Sequence, residues 1–91
     1  MTEITRQLRI TGHVQGVAYR AWTRAQAERL GLRGWVRNEG DGSVTALIHG
    51  PAEAVDAMIT ACHAGPGAAD VRDVQVTEAT SPATAGFAIL R

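Results

Sequence analysis

Residues 32–49 read LRGWVRNEGDGSVTALIH. Two runs with strand-like composition, Leu32–Asn38 and Ser43–His49, flank the polar segment Glu39–Gly42. The Asp41-Gly42 pair inside that segment is a hairpin turn signal, so the middle of the chain is expected to be two antiparallel strands. Upstream, Tyr19, Thr23, Ala27 and Leu30 recur at helical spacing, with Trp22 at the margin and Gly31 as a stop. Before that helix, Arg6–Thr11 alternates with Leu8 and Ile10 on one face, which predicts a first strand. Downstream, Gly50-Pro51 opens a second helix, with proline expected at its first position. Val55, Met58, Ile59 and Cys62 form its apolar stripe, and Gly65-Pro66 ends it. Val71–Glu78 alternates as a further strand, and Gly86–Arg91 supplies a short terminal one with Phe87 and Ile89 on one side. The order β-α-β-β-α-β is the split βαβ, ferredoxin-like pattern of the α+β class. Two helices are expected to pack on one face of an antiparallel sheet of four to five strands.

Ninety-one residues make one domain, expected to span 1–91. With 45% hydrophobic and 20% charged residues the composition is that of an ordinary globular protein. The single cysteine excludes an internal disulfide and fits a reducing compartment, and no segment is apolar and long enough for a signal peptide or a membrane span. A cytoplasmic monomer is the expectation. Zero net charge argues against a general nucleic-acid or anionic-membrane partner. The charge is unevenly placed: residues 1–40 carry seven arginines against three acids, a balance of +4, and residues 41–91 balance it at −4. A positive first half suits a small anionic ligand, as it also suits solvated surface arginines.

Two segments could carry chemistry. Gly12–Arg20, GHVQGVAYR, is a glycine-bearing connection into a helix N-terminus. Such a turn aims successive backbone N–H groups at one spot, beside the positive end of a helix dipole. Arg20 at the start of the helix can add a two-pronged grip on phosphate oxygens. The plain alternative is a tight connection followed by a surface arginine. The second segment, Gly34–Val44, GWVRNEGDGSV, places Asn38 where a strand runs into the turn. Its amide can orient a water molecule, although asparagine is also an ordinary turn former.

Taken together the two segments resemble the acylphosphatase family, whose paired signatures have the forms GxVQGVxxR and GWVxNxxDGxV. Here these stand as Gly12, Val14, Gln15, Gly16, Val17, Tyr19 and Arg20, then Gly34, Trp35, Val36, Asn38, Asp41, Gly42 and Val44. The segment Cys62–Pro66 with Ala69 and Val71, and the ending Gly86–Ile89, are similar to the family as well. The resemblance implies that Arg20 binds the substrate phosphate together with the amides of Gln15, Gly16, Val17, Ala18, Tyr19 and Arg20, and that Asn38 orients the attacking water. It implies metal-free hydrolysis of an acyl phosphate, a small molecule, with no cofactor. Glu39 directly follows Asn38 and would put a negative charge near an anionic substrate.

The remaining candidates have simpler explanations. No pair among His13, His49 and His63 has a metal-ligand spacing, so no metal is expected; His13 is a candidate substrate contact. Cys62 sits on an apolar stripe, and no serine is flanked like a nucleophile elbow. Trp22 and Trp35 are read as packing residues, because the aromatic RNA-binding signature is absent from the strands. The rival from another class is a non-catalytic module that binds a phosphorylated metabolite or a protein bearing an acyl phosphate. Asn38 separates the two, since a pure binder has no need to position water.

Overall fold

The computed structural model describes residues 2–82 and 85–90. The elements run β1 (Glu3–His13), α1 (Tyr19–Arg29), β2 (Arg33–Asn38), β3 (Val44–Pro51), α2 (Ala52–Ala64), β4 (Asp70–Glu78) and β5 (Phe87–Ile89). One sheet holds all five strands in the order β4-β1-β3-β2-β5. β1 lies between β3 and β4, antiparallel to both, and β2 pairs antiparallel with β3. Each helix therefore links two parallel strands with a third strand threaded between them, which is the split βαβ arrangement expected from the sequence.

The alternation that predicted the strands is also what builds the core. Leu8, Ile10, Val36, Val44, Ala46 and Ile48 are fully buried on one face of the sheet. Tyr19, Thr23 and Ala27 of α1, and Val55, Met58 and Cys62 of α2, close over them. Leu30, Trp22 and Ile59 pack partly buried at the margin of this core. The opposite face carries no helix and is polar at Thr5, Gln7, Arg9, Thr45 and Arg37, with Thr45 set between Arg9 and Arg37 by the register. Trp35 lies on this face, with the Arg37 guanidinium 4.7 Å from its ring centroid, and so packs against a cation rather than into the core.

Three expectations need correcting. The sheet is mixed, because β5 runs parallel to β2. β4 ends at the edge of the sheet where β2 begins, so a strand laid beside β2 from there must run in its direction. Pro51 is the N-cap of α2, not its first helical residue: ψ of 140° keeps it extended, opposite Glu3 in the β1–β3 ladder. The terminal strand is confined to Phe87–Ile89; of its expected span, Arg91 lies outside the described residues. Phe87 is buried, whereas Ile89, on the same side, is 38% exposed.

β1, β2 and β5 thus point the same way, and their ends meet at one rim of the sheet. The connection into α1, Asn38 and Ile89 share that rim.

Candidate active site

The connection 14–18 bends sharply. Gly16 has φ of +76°, and Ala18 has φ of +62° and ψ of +26°, the single positive-φ residue other than glycine among those described. A left-handed alanine costs on the order of 1–2 kcal/mol, strain that structures keep mainly where the backbone has work to do. Here it turns the chain into α1 without a capping side chain, and no acidic residue occupies the first turn. The first helical bond runs from Trp22 N–H to the Ala18 carbonyl (3.0 Å). The amides of Tyr19, Arg20 and Ala21 therefore have no acceptor within the helix, and they carry the positive end of its dipole.

These residues line a cleft of about 210 Å³, open to solvent, together with Val14, Gln15, Asn38 and Ile89. Arg20 and Asn38, 18 residues apart in sequence, are thus brought to one place. Arg20 is half-buried and donates through Nη1 to the Leu90 carbonyl (3.3 Å), which leaves the rest of its guanidinium fork to face a ligand. The Asn38 side-chain oxygen is buried and has no hydrogen-bond partner among the described residues. A buried amide oxygen in that condition can accept a hydrogen bond from a molecule in the cleft.

The cleft is held by bonds that the sequence did not announce. Tyr19, fully buried, donates its hydroxyl to the Cys62 carbonyl (2.8 Å) and so ties the start of α1 to the last turn of α2. Burial pushes its phenol well above the usual range, with neighbouring Cys62 adding to the shift. Gln15 Nε2 donates to the carbonyls of both Glu39 (2.8 Å) and Ser43 (2.9 Å). Those two carbonyls belong to the β2–β3 turn, which closes through Glu39 N–H to Ser43 O (2.8 Å). Asp41 braces the same turn: its carboxylate accepts from the Ser43 hydroxyl (2.6 Å) and amide (2.9 Å) and pairs with Arg9 (2.5 Å). These bonds, the Ser43 hydroxyl foremost, hold the Asp41 carboxyl well below its ordinary range.

Of the residues expected to form the site, Gln15, Gly16, Ala18, Tyr19, Arg20 and Asn38 line the cleft. Val17 does not; its half-buried side chain packs against the core. The Glu39 carboxylate, the anticipated liability, bonds to Thr45 and to Arg37 (2.8 Å), which lie on the helix-free face and outside the cleft lining. Thr45 and then Arg37 lower its pKa. His13 is the exposed last residue of β1, opposite Asp70, and is not part of the lining. Val14, Ala21, Ile89 and Leu90 were not foreseen as contacts. Nothing short of the parallel pairing of β5 with β2 reveals the last two. Among the described residues, no group of three His, Cys, Asp or Glu side chains could hold a metal ion.

The family model for acylphosphatase matches residues 6–89. An acylphosphatase of Rhizobium meliloti (strain 1021) is 61% identical over 85 residues, covering 92% of this chain and 90% of that one. Among solved structures, an acylphosphatase from Bacillus subtilis superimposes with a TM-score of 0.92 at 32% identity, over 97% of this chain and 99% of that one. An acylphosphatase from Coxiella burnetii gives the same TM-score at 30% identity, over 97% and 93% of the two chains.

Proposed function

The chain belongs to the acylphosphatase family, and we propose that it hydrolyses acyl phosphates to a carboxylate and inorganic phosphate in the cleft between Arg20 and Asn38. The observation that carries the residue roles is the convergence of three things in one cleft: the uncapped start of α1, the Arg20 fork and the buried, unpartnered oxygen of Asn38. The phosphoryl oxygens sit on the amides of 15–20 and on Arg20. As the transition state spreads charge over those oxygens, donors already aimed at them stabilise it without reorganising. Asn38 accepts a hydrogen bond from water and holds its oxygen in line with the bond to be broken. A water O–P bond forms, and the bond between phosphorus and the bridging oxygen breaks. The carboxylate leaves with the electron pair, and the water proton passes to a phosphoryl oxygen of the substrate.

No general acid is needed for that departure, because a carboxylate is a weak base whose conjugate acid has a pKa of about 4. No protein base is needed either if the substrate takes the proton, which suits a cleft whose water-holding group is an amide. A covalent route through the thiol has no support: Cys62 is buried on α2, outside the cleft lining, and burial pushes its pKa up to about 11. The same reading makes residues 1–91 one domain, acting as a cytoplasmic monomer without a nucleic-acid partner, in keeping with the zero net charge and the reduced, buried thiol. No described helix is long and apolar enough to cross a membrane.

Benzoyl phosphate in ¹⁸O-water, with excess chelator, tests this function. Chelator-resistant turnover is expected, with label entering inorganic phosphate and none entering benzoate. Label in benzoate would mean attack at the acyl carbon and would refute the arrangement. Absence of turnover, with phosphate still bound, would leave a binding module instead.

A further inference from the structure

We infer that the Gln15 side chain is a positioning residue that sets the distance between the phosphate cradle and Asn38. The inference rests on the reading of Asn38 given above. Gln15 belongs to the loop that leads into α1, and its backbone forms part of the cleft. Its side chain points away from that duty, toward the turn that follows Asn38. The two hydrogens of its amide nitrogen meet two main-chain carbonyls, Glu39 O at 2.8 Å and Ser43 O at 2.9 Å. Both donors are thereby used, and both acceptors are backbone atoms that cannot rotate away.

These bonds are not what makes the turn. The turn closes on its own bond from Glu39 N–H to Ser43 O, and Asp41 braces it through Ser43. What Gln15 adds is a fixed link between two segments 24 residues apart in sequence, one carrying the anion site and the other the water-holding amide. The Glu39 carbonyl lies one residue from Asn38, so fixing it fixes the strand end from which the Asn38 side chain projects. In-line attack tolerates little error: a misplacement of about 1 Å costs on the order of a hundredfold in rate.

Two variants separate this role from folding and from phosphate binding. Gln15→Met keeps the length and removes both donors. Gln15→Glu keeps the shape but sets a carboxylate against two carbonyls. The measurements are kcat and KM on benzoyl phosphate, the inhibition constant of inorganic phosphate, and the thermal unfolding midpoint. Both variants are expected to fold and to lose roughly tenfold to a hundredfold in kcat. In Gln15→Met, which adds no charge, phosphate inhibition should stay within about twofold of wild type, as the cradle amides and Arg20 are untouched; Gln15→Glu, whose carboxylate lies beside the anion site, is read on kcat alone. Introduced into Asn38→Ala, the same changes should cost almost nothing more, because a residue that acts through Asn38 has nothing left to position. Unchanged kcat, a parallel weakening of phosphate inhibition in Gln15→Met, full multiplication of the two losses, or failure of both variants to fold would each overturn the inference. An inactive wild type would instead defeat the functional reading, and this inference with it.

Discussion

Replacing Arg20 with alanine is expected to lower kcat/KM on acyl phosphates by roughly 10³–10⁵-fold, the range over which a single arginine stabilises phosphoryl transfer. Inhibition by inorganic phosphate should weaken at the same time, because the same fork grips the ground state. The loss should not be recovered by Arg20→Lys. Lysine keeps the charge, but it is a point donor without the planar pair of N–H groups that matches two phosphate oxygens. It also cannot hold the Leu90 carbonyl and the ligand with one rigid group, as Nη1 of Arg20 and its remaining donors do. Steady-state kinetics with phosphate as a competitive inhibitor read both effects. Phosphate inhibition unchanged in either variant would remove Arg20 from the anion site.

The second large effect is on the fold. Gly34 has φ of +141°, and a Cβ built there would lie 1.8 Å from the Leu47 carbonyl oxygen of β3. The obstacle is backbone of the neighbouring strand, so no side-chain rotation relieves it. Gly34 also donates its N–H to the Gly86 carbonyl (3.0 Å), the link that brings the terminal strand to β2. Gly34→Ala must therefore part β2 from β3, straining the bond to Gly86 as it moves, at a cost of roughly 4 kcal/mol or more. In a domain of this size that is a large share of a total stability of about 5–15 kcal/mol. It corresponds to a fall of about 15–30 °C in Tm, read by far-UV circular dichroism. A Tm within a few degrees of wild type would show that the close approach is not as tight as it stands here.

Gly34 also shows what the sequence could and could not say. Its position in the second signature was visible, but its reason, a carbonyl 47 residues into the chain, was not. The element order was legible because each strand and each helix stripe carries its own period: Leu8 and Ile10 in β1, and Val55, Met58 and Cys62 in α2, are buried as that period requires. The direction of β5 was not legible, since alternation in three residues says nothing about which neighbour they pair with or which way they run. With that direction went Ile89, which lines the cleft from the far end of the chain, and Leu90, whose carbonyl holds Arg20. Arg20 and Asn38 were identifiable from the paired signatures, and the fold brings them to one rim. The Gln15 side-chain bridge joins segments whose separation no local pattern measures. Pro51 stands one position ahead of the helix because its fixed φ serves a strand end as well as a helix start.

If Asn38 aims water while Arg20 and the loop amides hold phosphate, substitution of Asn38 should separate rate from affinity. The most direct test is to compare Asn38→Ala with wild type in the hydrolysis of benzoyl phosphate and in inhibition by inorganic phosphate. A fall in kcat on the order of 100–1,000-fold is expected, with the phosphate inhibition constant nearly unchanged. Turnover that survives the substitution would contradict it, and so would a loss of phosphate affinity that matches the loss of rate.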